Sequence, residues 1–371
     1  MKKIASIAST VVLLATSVMP VLAANSCTNG TTGPMSGNYC TVVNTNNVRV
    51  NNTNKADIVN NVTATSNTGH NSASMNTLGG RVTTGNASLN VGVSNTANIN
   101  TTSISGGPAA SGNVAGNNIT GPASTDVVTI TNSNIVNVNN QNDARIKNNV
   151  SATSDTGWNL ANTNTGPADI FAGNASMSVS VGNHANDSAT SITAGAGGSG
   201  GNSAVNDTTG PMSSNFVTLT NTSNTFVNNI NDMDVKNNVT AVANTGHNSA
   251  SMTTLGSEIR SGNAVGQVGI ETKGNINTTS ITTAMGGFTN TSGNLVTGPM
   301  STNVENLVNA QDIGVNNNNV KGKVENKNTD IADTGWNVAD INTGGGDIYA
   351  GLSQLVKRIE TYINDSFTVI K

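Results

Sequence analysis

The chain has 371 residues, a formal net charge of −4, and only 10% charged and 3% aromatic side chains. Asparagine accounts for about 65 residues and glycine for 40. The low net charge argues against disorder driven by charge repulsion, and the lack of basic clusters argues against a nucleic-acid partner. The composition predicts an all-β fold with a thin apolar core, in which backbone hydrogen bonds carry much of the structure.

Residues 1–23 have the pattern of a bacterial secretory signal peptide. Two lysines precede an apolar stretch from residue 4 to residue 18, and Val21-Leu22-Ala23 supplies a small-residue cleavage site. No later stretch reaches the ~18 consecutive apolar residues that a transmembrane helix needs. We therefore expect a secreted protein, extracellular or on the cell surface, without a transmembrane segment.

The segment 24–31 and the start of the next one contain both cysteines of the chain, Cys27 and Cys40. In an oxidising compartment their spacing predicts one disulfide that closes a short loop, and two free thiols are the alternative. The three histidines are scattered, so neither a zinc site nor any other metal site is expected.

A Thr-Gly-Pro motif recurs along the chain and divides it into repeats. It begins at Thr32, Thr120, Thr209 and Thr297, at intervals of 88, 89 and 88 residues. The predicted repeats are residues 32–119, 120–208 and 209–296, a truncated fourth repeat at 297–351, and a C-terminal cap at 352–371. Such regular self-similarity is typical of a stacked array.

Two sets of equivalent residues are candidate contact points. Each repeat contains an Asn-Thr-Gly or Asp-Thr-Gly turn, and the residue after it alternates between histidine and tryptophan: His70, Trp158, His247 and Trp336. A charged position follows in each repeat: Arg81, Asp169, Glu258 and Asp347. We interpret both sets as candidate binding positions on a repetitive surface.

The stretches 128–131, 179–181 and 217–220 alternate apolar with small polar residues, which predicts half-buried β-strands. Glycine and asparagine at the breaks supply the positive φ that tight turns need. The abundant asparagines predict ladders in which each side-chain amide bonds to the same residue in the layers above and below. We therefore predict a β-solenoid, a parallel β-helix, of four repeats of about 88 residues. Tandem β-sandwich modules are the alternative, although they would need more aromatic and large aliphatic residues.

Two finer details of this solenoid are also predicted. No shorter period within the repeat fixes the number of rungs, and an assumed four rungs per repeat, spaced ~4.8 Å apart, would make the molecule a rod on the order of 75 Å long. The cap is expected to be a short helix, because its apolar residues recur at helical spacing, and a swapped strand that covers the open end of the array is the alternative. These residues are Leu352, Leu355, Val356, Ile359, Tyr362, Ile363 and Phe367.

No catalytic site or cofactor is expected, because the acidic residues are thinly spread and occupy repeat positions. The best interpretation is a secreted structural or adhesive protein that associates with itself or with other surface proteins. A carbohydrate-binding module is an alternative, because the repeated tryptophans could stack on sugars. An ice-binding solenoid is another, because Thr129 and Thr131 form a Thr-x-Thr pair.

The stretches 69–73 and 246–250 both read Gly-His-Asn-Ser-Ala. They resemble the Gly-x-Asn-x-Ala element of curlin-type repeats, and more loosely the chain is similar to secreted bacterial Asn/Thr/Gly-rich surface repeat proteins. The curlin resemblance implies an extracellular β-solenoid that assembles into fibres for adhesion and biofilm formation.

Overall fold

The computed structural model describes residues 2–18, 25–105, 112–194, 201–283 and 290–371. In these ranges the chain is all-β, with parallel sheets and no helix. Its strands, numbered in chain order, are β1 (Lys2–Val18), β2 (Ser26–Asn29), β3 (Gly37–Asn67), β4 (Gly80–Thr83), β5 (Ala87–Ser105), β6 (Val114–Asn117), β7 (Thr125–Asp155), β8 (Ala168–Phe171), β9 (Ala175–Ala185), β10 (Ser188–Ala194), β11 (Asn202–Asn206), β12 (Ser214–Asn244), β13 (Ser257–Arg260), β14 (Ala264–Gly274), β15 (Asn277–Thr283), β16 (Asn290–Asn294), β17 (Thr302–Asp333), β18 (Gly346–Tyr349), β19 (Ser353–Ile363) and β20 (Ser366–Ile370).

Each strand pairs in parallel with the equivalent strand one interval further along the chain. Three four-stranded sheets have the orders β2-β6-β11-β16, β3-β7-β12-β17 and β4-β8-β13-β18, and the remaining strands form an eight-stranded sheet. Apart from the pairing of β1 with β5, paired residues are 88 or 89 positions apart. We call the ranges 25–105, 112–194, 201–283 and 290–371 layers 1 to 4, and we call the residues at one position in successive layers a column.

Within a layer, the long strand and the strand at the C-terminal end of the layer face each other across the core. In layer 1 the side chain of Asn52 donates to Thr102 Oγ1 at 3.1 Å, whereas that of Asn60 donates to Asn95 Oδ1 at 2.8 Å. Because one residue number rises as the other falls, β3 and β5 run in opposite directions. The Thr68 hydroxyl donates to the Gly85 carbonyl at 2.8 Å and closes a small lobe at one end of the layer.

The core is built from inward columns of aliphatic residues and asparagines. Side chains alternate between buried and partly exposed along β12, as expected for a strand with one inward face. One inward column forms the predicted amide ladder, in which each Nδ2 donates to the Oδ1 of the next layer at 2.6 to 2.7 Å. Its members are Asn52, Asn140, Asn229 and Asn317. The ladder satisfies buried amides that an apolar core of this thickness could not.

Two predictions about the array are wrong. Each 88-residue interval makes one large layer instead of four rungs, so the stack of four layers at ~4.8 Å is on the order of 20 Å thick instead of a 75 Å rod. The C-terminal cap is not a helix, because residues 353–363 and 366–370 are the strands β19 and β20, which pair with β14 and β15. The sheets run through all four layers, which is not the arrangement of separate tandem β-sandwiches.

The strand β1 lies on the layer-1 side of the stack. It pairs in parallel with β5, from Lys2 opposite Ser88 to Val18 opposite Ser105. The predicted cleavage site at residues 21–23 lies outside the described residues. Among the described residues, no helix is long and apolar enough to span a membrane.

Candidate functional site

The turn column, His70, Trp158, His247 and Trp336, is a continuous stack of aromatic rings. Neighbouring rings are within 3° of parallel, and their centroids are 6.1, 4.3 and 6.1 Å apart in chain order. Each inner ring is therefore flanked by a neighbour on both faces. Trp158 has 48% of its surface exposed, whereas Trp336, which ends the stack, has 78% exposed.

The turn that carries these rings uses a left-handed backbone conformation. The sequence assigned this role to glycine and asparagine, but here the ring residues themselves have positive φ, between 55° and 63°. The preceding glycine serves close packing, because a Cβ on Gly157 would lie under 3.0 Å from the Gly246 carbonyl oxygen. A side chain at this glycine would therefore collide with the backbone of the next layer.

The two histidines of the turn column lie near carboxylates of the next layer. His70 Nδ1 is 3.8 Å from Asp155 Oδ2, and His247 Nδ1 is 3.9 Å from Asp333 Oδ2. In the layers that carry histidine, the position of these carboxylates is occupied by asparagine. Asn244 of layer 3 is paired with Asp155 of layer 2, and its Nδ2 donates to Asp155 Oδ1 at 3.1 Å. The column thus alternates in both its rings and its turn carboxylates.

The charged column, Arg81, Asp169, Glu258 and Asp347, is aligned by the sheet β4-β8-β13-β18. Two positions further on, Phe171, Arg260 and Tyr349 add a cation–π cluster that the sequence analysis missed. Arg81 lies 4.8 Å from the Phe171 ring centre, and Arg260 lies 5.1 Å from that of Tyr349. The hydrogen bond and the charge of Glu258 raise the pKa of Arg260. The sequence contains a signal for this cluster, because each of the three residues lies two positions after a member of the charged column.

Cys27 and Cys40 are joined in a disulfide with a Cα–Cα distance of 5.6 Å. The column positions of this pair are occupied by Ala115 and Val128 in layer 2. In layer 4 the same positions hold Ser292 and Glu305, which are hydrogen-bonded. The two end layers therefore differ chemically from the inner ones at this part of the core.

A metal site requires several converging His, Cys, Asp or Glu side chains. No group of three or more such side chains converges in the described parts of the chain. A shallow groove of about 170 Å³, lined in part by His184, Glu271 and Lys273, lies on the outer face of the eight-stranded sheet. In it His184 is hydrogen-bonded to Asp187. The Thr-x-Thr pair of layer 2 recurs in layer 3 as Thr218 and Thr220, but the layer-4 positions are Asn306 and Val308.

The layer-4 end of the stack leaves apolar residues of the core exposed. One apolar column of the sheet β4-β8-β13-β18 has Ile170 and Ile259 at 0% exposure, but Ile348 in layer 4 is 46% exposed. A second inward column shows the same contrast between Leu219, which is buried, and Leu307, which is exposed. The layer-4 end thus presents an uncovered cross-section of the core and a row of strand edges.

Comparison of the chain with protein-family models, with curated proteins and with solved structures gave no significant match.

Proposed function

We propose that the protein is a secreted bacterial structural or adhesive protein, built as a four-repeat β-solenoid that assembles with further copies and has no enzymatic activity. The observation that supports it best is the layer-4 end, where strands that are paired on one side leave their other edge unpaired. Exposed strand edges over a large apolar cross-section are templates for adding more strands. The repetitive outer surface of such an assembly would supply many equal contact points.

The test is assembly of the purified chain that begins at Asn25. Incubation should give elongated particles in electron micrographs, rising light scattering and a thioflavin response. Solutions that remain monomeric over the concentration range tested would contradict the proposal. Immunogold labelling of intact cells tests the location, since a cytoplasmic signal would contradict secretion.

Carbohydrate binding is the second candidate, favoured by the exposed ring of Trp336. Trp158 supports it less, because both of its ring faces are taken by histidines. A glycan array with the chain and its Trp336→Ala variant decides this point. Binding that the substitution abolishes, with unchanged circular dichroism, would favour this function.

A further inference from the structure

We propose that copies of this chain join head to tail, with layer 4 of one copy lying on layer 1 of the next in the register that joins successive layers within the molecule. The inference rests on the proposed self-assembly and adds the two contact faces, their polarity and their register.

Gly85, in layer 1, is a glycine that the packing of a single molecule does not require. Gly85 shares a column with Gly173, Gly262 and Gly351, and a Cβ on any of those three would lie under 3.0 Å from a carbonyl oxygen of the preceding layer. A Cβ on Gly85 would have nothing within 4 Å, and its backbone is not left-handed. A preceding layer 4, which would bring Gly351 of another copy beneath it, gives this glycine the same role as the others.

The layer-4 end also has a glycine that a single molecule does not require, and here the close contact would be with the following layer instead of the preceding one. In the column of Gly69, Gly157, Gly246 and Gly335, a Cβ on each of the first three would lie under 3.0 Å from the carbonyl oxygen of the following layer. For Gly335 the nearest atom is Oδ1 of Asp333 in its own layer, at 3.3 Å. A following layer 1 would place Gly69 of another copy over Gly335.

Two columns alternate from layer to layer, and four layers complete two full alternations. One is the turn column, and the other consists of Asp57, Arg145, Asp234 and Lys323. Because the number of layers is even, head-to-tail addition continues both patterns. Lys323 meets Asp57 of the next copy, and the exposed ring of Trp336 meets His70, as Trp158 meets His247 within the molecule.

The charged column also favours this junction. It runs from Arg81 in layer 1 to Asp347 in layer 4, so addition brings an arginine next to an aspartate. A two-fold arrangement of two layer-4 ends would instead oppose like charges. A heterologous contact of this kind does not close on itself and produces open filaments.

The strand β1 occupies part of the layer-1 face. β19 and β20 continue the columns of β5, so those strands of a second copy would pair with β5 where β1 now lies. The chain from Asn25 onward is expected to fold without β1, because every pairing between the four layers is made by strands that follow residue 25. This shorter chain is therefore suitable for the test, with the full chain folded in parallel.

The decisive variants place a methyl group on one face at a time. Gly85→Ala blocks the layer-1 face and has open space in the single molecule. Gly335→Ala blocks the layer-4 face and requires only that the Asp333 carboxylate, 3.3 Å from the new Cβ, shift by a few tenths of an ångström. The matched controls are Gly30→Ala and Gly293→Ala, which also have room in the single molecule. In the proposed junction each of these glycines faces a residue with a side chain, Leu295 for Gly30 and Thr28 for Gly293. Thermal unfolding and circular dichroism should be unchanged in all four monomers.

We expect the controls to elongate like the parent chain and each blocked variant to remain monomeric alone. A mixture of the two blocked variants should give a discrete 1:1 dimer by analytical ultracentrifugation, because each retains one competent face. If the parent chain forms filaments and the blocked variants do so equally well, this register is overturned while self-assembly stands. If the parent chain forms none, the proposed function itself fails.

A cross-link provides a second measurement, independent of the glycine variants. Arg81 and Asp347 lie three layers apart in one copy, on the order of 14 Å, which is beyond the ~7 Å Cα limit for a disulfide. Arg81→Cys with Asp347→Cys should give a covalent ladder of oligomers on a non-reducing gel, whereas Arg81→Cys with Asp312→Cys should not. Equal ladders from both pairs would overturn the register.

Discussion

At the scale of single residues, buried asparagine has a role that usually belongs to aliphatic side chains. An amide has two donors and an acceptor, so it can bond along the stack and across the layer at the same time. Asn229 does both: it donates to Asn317 at 2.6 Å and to Thr279 at 3.2 Å, and it accepts from Asn140. A buried amide that is satisfied in this way ties each layer to its neighbours.

Replacement of Asn229 by alanine should therefore destabilise the fold strongly. The change removes the acceptor that the buried Asn140 has in the next layer, and an unsatisfied buried group costs about 1 to 3 kcal/mol. It also removes the donor to Asn317, which is only partly buried. We expect a loss of about 2 kcal/mol or more in the free energy of unfolding, measured by urea denaturation. The control is Asn228→Ala, which removes an amide of the outward ladder that is only partly buried and should cost less than about 1 kcal/mol. Equal losses would contradict the special role of the inward ladder.

At the scale of strands and layers, the long-range order of the sequence was a better guide than its local patterns. The interval between the Thr-Gly-Pro motifs equals the pairing offset, because parallel strands that stack like on like must share one period. The predicted strands at 128–131, 179–181 and 217–220 lie in β7, β9 and β12. The number of rungs per repeat was not predictable, since each layer is a single irregular circuit with no shorter period.

The C-terminal segment shows why a local pattern misled. Leu355, Ile359 and Ile363 lie on the inward face of the strand but are four positions apart, which is also helical spacing. Val356 and Tyr362 on the other face are apolar too and strengthen the helical pattern. The open edge of β14 offers this segment backbone hydrogen bonds along one side, from Ser353 to Ile363, and this tertiary pairing outweighs its helical pattern. The candidate contact residues were found from repetition alone, whereas their stacking geometry required the layer register.

Layer 4 differs from the other layers by an inward ion pair. Asp330 occupies a column that holds Ala241 in layer 3, and Lys357 occupies one that holds Val268. Their charged groups are 3.9 Å apart, and the Asp330 side chain is buried. Inward charges of this kind make a sheet edge a poorer template, so the junction between copies should be weaker than the contact between layers.

The double variant Asp330→Ala with Lys357→Val should restore the apolar core of the inner layers. We expect it to raise the free energy of unfolding by about 1 to 3 kcal/mol at neutral pH and to speed assembly. Burial raises the pKa of Asp330 in the native state, despite the charge of Lys357. Protonated Asp330 therefore favours the folded state fully at pH values below the unfolded pKa near 3.8, and this stabilisation is lost as the pH rises through the raised native pKa.

The advantage of this double variant over the parent chain should consequently be larger at pH 7 than at pH 3, as measured by urea denaturation at the two values. As a control, Lys327→Ala with Glu325→Ala removes an exposed pair and should change stability by less than about 1 kcal/mol. An advantage that is independent of pH would contradict the assignment of the effect to Asp330.

At the scale of the whole molecule, the stack has two unlike ends. The layer-4 end exposes its apolar columns, whereas on the layer-1 side β1 lies along the full length of β5. Val91 and Val93 of β5, which pair with residues 5 and 7 of β1, are buried although they belong to an end layer. The N-terminal segment, interpreted from the sequence as a signal peptide, therefore occupies the edge to which another copy is proposed to add.

The full chain should for this reason assemble more slowly than the chain from Asn25. A strand that pairs with β5 from within the same molecule has a high effective concentration and competes with β19 and β20 of a second copy. We expect the thioflavin lag time of the full chain to be at least severalfold longer at equal concentration. Addition of a peptide of residues 2–18 to the shorter chain should lengthen its lag, whereas a peptide of scrambled sequence should not. Equal lag times for the two chains would show that β1 does not protect this edge.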